Sequence, residues 1–327
     1  MLAYFSSLKF PALMNNCIGA VGQGLIWGLL ALGIFITFRM LNIADMTVDG
    51  SFATGGVVCV MLIMSGWDPN AALIVSFAAG LICGMVTGLL HSALGIPVLL
   101  AGILTQFALY AVNLNILGRA NQTLPIVKQR VLLFRANSDF LPRTILITAI
   151  FVAVIIALLY WYLNTEHGSG LRATGINEQM ARAQGINTKA MKVIGLALAD
   201  GLVALSGGIY SQYYGSADIN IGRGAIVIGL ASVIIGDVVC HAIFRKKMNL
   251  LLRLAFVVVG SVIYYIVQAF VIWLKLPSDD MKLLIAIVVA LFLAVPNLKQ
   301  ARQSSFSGLA RRNARLAAAK KEGGENA

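Results

Sequence analysis

Residues 170–187 read GLRATGINEQMARAQGIN, and long apolar runs almost free of charge lie on both sides of them. This is the one internal stretch that is both polar and rich in helix formers. Gly175 and Gly185 bracket a short helical window in it. The tripeptide Gly-Ile-Asn closes at Asn177 and again at Asn187. Both asparagines suit helix N-caps, where a short side-chain carbonyl accepts from exposed first-turn N–H groups. Between them Ile176, Met180 and Ala183 recur at i, i+4 and i+7 as one narrow apolar stripe, while Arg172, Glu178 and Arg182 point elsewhere. A short amphipathic helix held between membrane-length runs is expected to dock a partner rather than to catalyse.

The flanking runs set the fold class. Of 327 residues, 59% are hydrophobic and 12% are charged, with a mean hydropathy of +0.86. A soluble domain carries about 25% charged residues. The chain is therefore expected to be all-α, a polytopic bundle of transmembrane helices in the lipid bilayer. One span needs about 20 apolar residues, and that measure marks about nine: 14–37, 47–65, 71–92, 96–117, 145–163, 191–212, 224–243, 251–273 and 280–297, with eight to ten as the bounds. Lys9 is the only early positive charge and no small-residue cleavage site follows the first run, so that run is expected to stay as a span. Residues 1–297 then form one transmembrane domain, and 298–327 a basic, solvated and disordered tail.

The net charge of +12 does not point to nucleic acid, because the basic residues sit in short loops and in the tail, as positive-inside topology requires. Lys299, Arg302, Arg311, Arg312, Arg315, Lys320 and Lys321 place the C-terminus in the cytoplasm. Arg172, Arg182, Lys189, Lys192, Arg39 and the 245–253 cluster fall on the same side, and with them the segment that opens this section. Residues 118–143 oppose the rule, with Arg119, Lys128, Arg130, Arg135 and Arg143 on the outside.

Small residues recur at i, i+4, i+8 in two spans, as Ala20, Gly24, Gly28 and as Gly80, Gly84, Gly88. That spacing allows close helix contact, either within one subunit or at a dimer seam. Cys17, Cys59, Cys83 and Cys240 form no CxxC or Cys/His cluster and are expected to be small buried hydrophobes. His91, His167 and His241 are far apart in sequence, so no metal site is expected. There is no G-x-x-x-x-G-K-[ST] phosphate loop and no H-E-x-x-H. The chain is not expected to be an enzyme, to bind ATP itself or to hold a cofactor.

Polar residues at membrane depth are costly and mark function by default. The richest patch is Asn42-Ile-Ala-Asp-Met-Thr-Val-Asp-Gly-Ser51. Its Asn42, Asp45, Thr47, Asp49 and Ser51 suit either a broken start to the second span or a solvated loop before it. Gln106, Asn113 and Asn115 in the fourth span either bond across helices or line a pathway, as does Thr105 beside them. Asp200 and Asp237 either form a structural pair or cap, or pair with a cation or accept protons.

Three stretches carry a family resemblance. GLRATGINEQMARAQGIN resembles the cytoplasmic coupling segment of the permease subunits of bacterial ABC importers, in the branched-chain amino acid and ribose permease class. KVIGLALADGLVALSGGIYSQ (192–212) resembles the small-residue span that follows it in that class. GLIWGLLALGIFITFRMLNIADMTVDGSFATGG (24–56) resembles the first span and its polar turn, closest to a subgroup of uncharacterised and amino-acid permeases. The similarity covers most of Gly24–Pro296. It implies a multi-pass protein of the bacterial plasma (inner) membrane that forms, with a second copy of itself, the pathway for a small solute, an amino acid among the candidates. It also implies a separate cytoplasmic ABC ATPase docked on Gly170, Arg172, Gly175, Asn177, Met180, Arg182, Gly185 and Asn187. An extracytoplasmic solute-binding protein would deliver solute to outer loops that include 118–143 and 213–223. The competing reading is a self-contained secondary transporter with Asp200 and Asp237 as its proton or ion sites.

Overall fold

The computed structural model describes residues 10–124, 141–244 and 249–273, together with Ile287 and Ala290 as helical residues. The ninth expected span and the basic tail lie outside the described residues, as do 125–140 and 245–248. Contacts divide the chain into the units Met1–Leu276 and Pro277–Ala327, and the architecture below is that of the first.

Eight apolar helices follow one another among the described residues. They are α1 (Phe10–Ile34), α2 (Val48–Met64), α3 (Pro69–Ser92), α4 (Val98–Leu117), α5 (Leu141–Leu163), α8 (Thr188–Tyr214), α9 (Ala225–Phe244) and α10 (Leu250–Trp273). Two short helices, α6 (Glu166–Ile176) and α7 (Glu178–Ala183), stand between α5 and α8. Seven of the helices are long and apolar enough to cross a membrane, and α2, with 17 residues, is shorter. The protein is a multi-pass membrane protein. Local signals end the helices where expected. Asp68 caps α3 by accepting the Asn70 N–H at 2.8 Å, with Pro69 at the first helical position. Gly118 and Gly215 close α4 and α8 with φ of +69° and +70°.

Helices α1 and α8 form the centre of the bundle, each 78% buried along its apolar window. Helices α4 and α5 are peripheral, 22% and 17% buried, and turn apolar faces outward. Both small-residue stripes are seams inside the subunit. A Cβ on Gly24 would lie 2.6 Å from the Val262 Cα of α10, and one on Gly80 or Gly84 would lie 2.4 Å or 2.3 Å from the carbonyl oxygens of Asp200 or Leu196 in α8. Backbones this close maximise dispersion contact where lipid supplies no hydrophobic drive. The four cysteines are free thiols.

Two features depart from a plain run of helices. The last turn of the first span, Phe35–Met40, is π-helical. Asn42 then adopts a left-handed φ of +56°, which an asparagine tolerates, and residues 41–47 form an irregular, non-helical segment with alternating burial. Leu41, Ile43, Asp45 and Thr47 are buried. The polar patch is thus a broken start to α2 packed against protein, not a solvated loop. The second unexpected feature is an antiparallel pair, β1 (Asn121–Thr123) with β2 (Ser216–Asp218), which pairs Gln122 with Ala217. It ties the chain after α4 to the chain after α8.

Candidate functional site

The two interrupted segments meet at Asp49. Its carboxylate accepts the Gly224 and Ile226 N–H groups at 3.0 Å each. A side chain at the start of α2 therefore caps α9, 175 residues away in sequence. The approach is close: a Cβ on Gly222 would lie 2.0 Å from the Asp49 carbonyl oxygen. The Asn220 N–H donates to Asp218 Oδ1 at 2.6 Å, and this turn holds the loop after β2.

Above this junction lies a cavity of about 470 Å³ between α2, α4 and the 219–223 loop. Asp49, Gln106 and Asn113 line it, and so do Asn220, Arg223 and the rings of Phe107 and Tyr110. The Oδ1 atoms of Asn113 and Asn220 are buried acceptors without a protein donor. The Arg223 guanidinium is exposed and has no ion-pair partner among the described residues. Phe107 is 72% exposed at the rim. Of the polar residues expected along the pathway, Asp49, Gln106 and Asn113 come together here. Asn42 and Asn115 are exposed and do not line it. Thr47 instead joins a hydroxyl chain, Thr47–Thr87 at 2.8 Å and Thr87–Thr105 at 2.9 Å, across the irregular segment, α3 and α4. Asp45 and Ser51 are buried away from the cavity.

Phe107, Tyr110, Asn220 and Arg223 were missed as site residues. Arg223 sits in the 213–223 loop that the resemblance marked only as a whole, and the two rings look like lipid-facing residues. Only the fold brings them beside Asp49.

The second candidate region is the polar corner after α5. It is two helices, not one. Gly175 lies inside α6 rather than at its edge, and the break falls at Asn177. Both expected caps form: Asn177 Oδ1 accepts the Met180 N–H at 3.0 Å, and Asn187 Oδ1 accepts the Ala190 N–H at 3.2 Å. Gly185 turns the chain between α7 and α8 with φ +83°. Gly170 faces Met191 of α8. The break splits the apolar stripe, yet Ile176 and Met180 stay exposed, at 85% and 60%, beside exposed Ala183. Gly175 presses on the π-helical turn, since a Cβ there would lie 1.7 Å from the Met40 carbonyl oxygen.

Glu178 organises the corner electrostatically. It accepts from Arg182 at 2.5 Å and from Lys192 at 2.8 Å, and Arg182 also donates to Thr188 at 2.9 Å. The Lys192 bond first, then Arg182, holds the Glu178 carboxyl below the ordinary glutamate range. A carboxylate with a lowered folded value stabilises at pH above its free value, and that contribution fades as pH falls through the folded value. The protection of amides over 178–192 from hydrogen exchange, relative to their intrinsic rate at each pH, is therefore expected to fall as pH drops below the ordinary glutamate range. Glu178→Gln should remove that acid limb and cost no more than ~1 kcal/mol, because the pairs are partly exposed. An unchanged pH profile in the variant would overturn the assignment.

Asp237 is engaged as well. It accepts from Arg39 Nε at 2.6 Å and forms an ion pair with that guanidinium. The pair ties α9 to the π-helical turn. Asp200 is fully buried on α8.

The sequence matches, over residues 16–295, the family described as the permease component of branched-chain amino acid transport systems. The chain belongs to this permease family. It is 36% identical over 285 residues to a tyrosine transport system permease protein of Clostridioides difficile (strain R20291), covering 87% of this chain and 92% of the relative. It is 33% identical over 291 residues to an uncharacterized protein of Rickettsia prowazekii (strain Madrid E), covering 88% of this chain and 99% of that protein. The autoinducer 2 import system permease protein LsrC of Escherichia coli (strain K12 / DH10B) is 25% identical over 213 residues, covering 64% of this chain and 60% of LsrC. The permease is the membrane-spanning component of an ABC importer.

Proposed function

We propose that this permease moves an amino acid, and that the cavity beside Asp49 is where it passes. The observation that carries the reading is the set of groups left unpaired there. The Arg223 guanidinium suits a carboxylate. The Asn113 and Asn220 carbonyl oxygens are acceptors for an ammonium group. The Phe107 and Tyr110 rings offer an apolar wall for a side chain, and π-faces attract cations as well. The name of the 36% identical relative, a tyrosine transport permease, agrees with this chemistry.

The chain is not itself an enzyme in this reading. A separate cytoplasmic ABC ATPase supplies the energy and docks on the exposed Ile176–Met180–Ala183 surface of α6 and α7. That places this corner and the C-terminus in the cytoplasm of a bacterial inner membrane, and the β pair on the outer face. An extracytoplasmic binding protein delivers solute to that face. A second copy of the chain completes the pathway on the open side of the cavity, where Phe107 is exposed. ATP-driven motion of the docked corner biases two arrangements of the bundle, as any ligand with differential affinity must.

The test is uptake by proteoliposomes holding the permease with its ATPase and binding protein. Arg223→Gln should raise the KM for the transported amino acid by roughly tenfold or more, the scale of one charge-assisted hydrogen bond. It should leave uptake of the corresponding amino acid amide, which lacks the carboxylate, unchanged. Equal losses for acid and amide would overturn carboxylate recognition.

A further inference from the structure

A second polar centre lies inside the bundle, apart from the cavity. Asp45 on the irregular segment and Asp200 on α8 are both buried, and so is Ser51 on α2. Asp45 Oδ1 accepts the Thr47 N–H at 2.9 Å, but its Oδ2 has no donor. Neither oxygen of Asp200 has a donor, and the Ser51 hydroxyl is also without a partner. Asp200 is in electrostatic reach of Asp45 and beside Ser51, and the Cys83 thiol of α3 borders the same group.

No described basic side chain neutralises this pair. Arg39 is engaged with Asp237, and Arg182 and Lys192 with Glu178. His91, at the end of α3, is bonded to the Ile96 carbonyl at 2.9 Å. Helix α8 is pressed on α3 at Gly80 and Gly84, and on α2 at Gly55, where a Cβ would lie 1.9 Å from the Ala204 carbonyl oxygen.

Burying an uncompensated carboxylate is strongly unfavourable, and burying two together is more so. The free atoms are all hard oxygen donors of carboxylate and hydroxyl type, which favour a hard cation over a soft metal. No described cluster of three or more His, Cys, Asp or Glu could hold a multivalent metal ion. We propose that Asp45, Ser51 and Asp200 bind a small, hard, monovalent cation inside each subunit, pinning the irregular segment to α8. This site is independent of the solute cavity and of any ATPase partner, so it stands or falls separately from the transport reading.

The probe is sodium, with choline replacing it at constant ionic strength. Thermal unfolding of the purified full-length permease in detergent micelles is the readout. A ligand that binds only the folded state raises the melting temperature saturably with concentration. A saturable rise with sodium and none with choline is expected, lost in Asp200→Asn and weakened in Ser51→Ala, which keeps both carboxylates. Equilibrium dialysis of radioactive sodium against wild type and Asp45→Asn is the second measurement, expected to show binding only in wild type, and it serves if Asp200→Asn fails to fold. Identical melting in sodium and choline would overturn the proposal. So would a sodium effect that survives both aspartate substitutions. Melting that depends on pH alone would assign the centre to a proton and overturn the cation site equally.

Discussion

Replacing Gly175 with valine is expected to abolish ATP-driven uptake while leaving the bundle inserted and folded. A Cβ at this position would lie 1.7 Å from the Met40 carbonyl oxygen and 2.9 Å from the Leu41 Cα. Both are backbone atoms, so neither can swing aside as a side-chain tip could. Helix α6 would have to lift from the π-helical turn, and overpacking of this kind costs about 1–3 kcal/mol. The position matters more than the energy. Met40 ends the π-helical turn, the turn continues into the irregular segment 41–47, and that segment leads to Asp49, whose carboxylate caps α9 beside the cavity. A push on α6 therefore has a short, continuous path to the cavity. With the contact at Gly175 displaced, motion of a docked ATPase would no longer reach that path. Uptake in the reconstituted system should fall more than tenfold, with ATP hydrolysis by the partner retained and the melting temperature of the permease lowered by only about 2–4 °C. Gly175→Ala should show the same defect in weaker form, and it decides the matter if the valine variant does not insert. Normal coupled uptake in both would remove Gly175 from the coupling route.

The parts of this architecture that were legible in the sequence are those governed by local rules. Apolar length located α1 to α5 and α8 to α10 to within a few residues, because each helix must satisfy its own backbone inside the bilayer. Asn177 and Asn187 declared themselves as caps, since a cap bonds N–H groups only three residues on. The parts that were not legible join residues far apart in the chain. Asp49 was expected along the pathway and does line the cavity, but the bonds from its carboxylate to the first turn of α9 join residues 175 apart and could not be read from the chain. Asp237 was open between an ion site and a structural pair until Arg39, 198 residues away, was seen beside it. The stripe Ile176, Met180, Ala183 was drawn on one helix because its spacing fits one, and only the break at Asn177 shows it shared between two. Arg223 falls in the 213–223 loop that the resemblance marked for solute delivery, but nothing in the sequence singled out its side chain. Its place depends on a loop held by a β pair and by a carboxylate from α2.

That dependence sets the effect expected at Asp49. Asp49→Ala should lower stability and abolish uptake together. The carboxylate accepts two N–H groups at 3.0 Å, and alanine would leave both donors without a partner in a partly buried position. At about 1–3 kcal/mol for each unsatisfied buried donor, the loss is roughly 2–6 kcal/mol, well above the ~1 kcal/mol typical of one N-cap residue. For a chain of this size that corresponds to a fall of roughly 3–9 °C in melting temperature. The functional loss has a geometric cause besides. Gly222 packs on the Asp49 backbone, and Gly224 is bonded to its side chain, so the loop carrying Asn220 and Arg223 is fixed from both ends of the residue. Without the carboxylate the loop keeps only its backbone contact, and Arg223 no longer holds a defined distance from Asn113 across the cavity. Asp49→Asn keeps one acceptor oxygen but presents an amide NH₂ to the other donor, so it should fall between alanine and wild type in both melting and uptake. Asn115→Ala, on an exposed face of α4 outside the cavity, should change neither. If Asp49→Ala melted like wild type and still transported, the cap would not be what holds the cavity in shape, and the loop would have to be positioned by β1–β2 pairing alone.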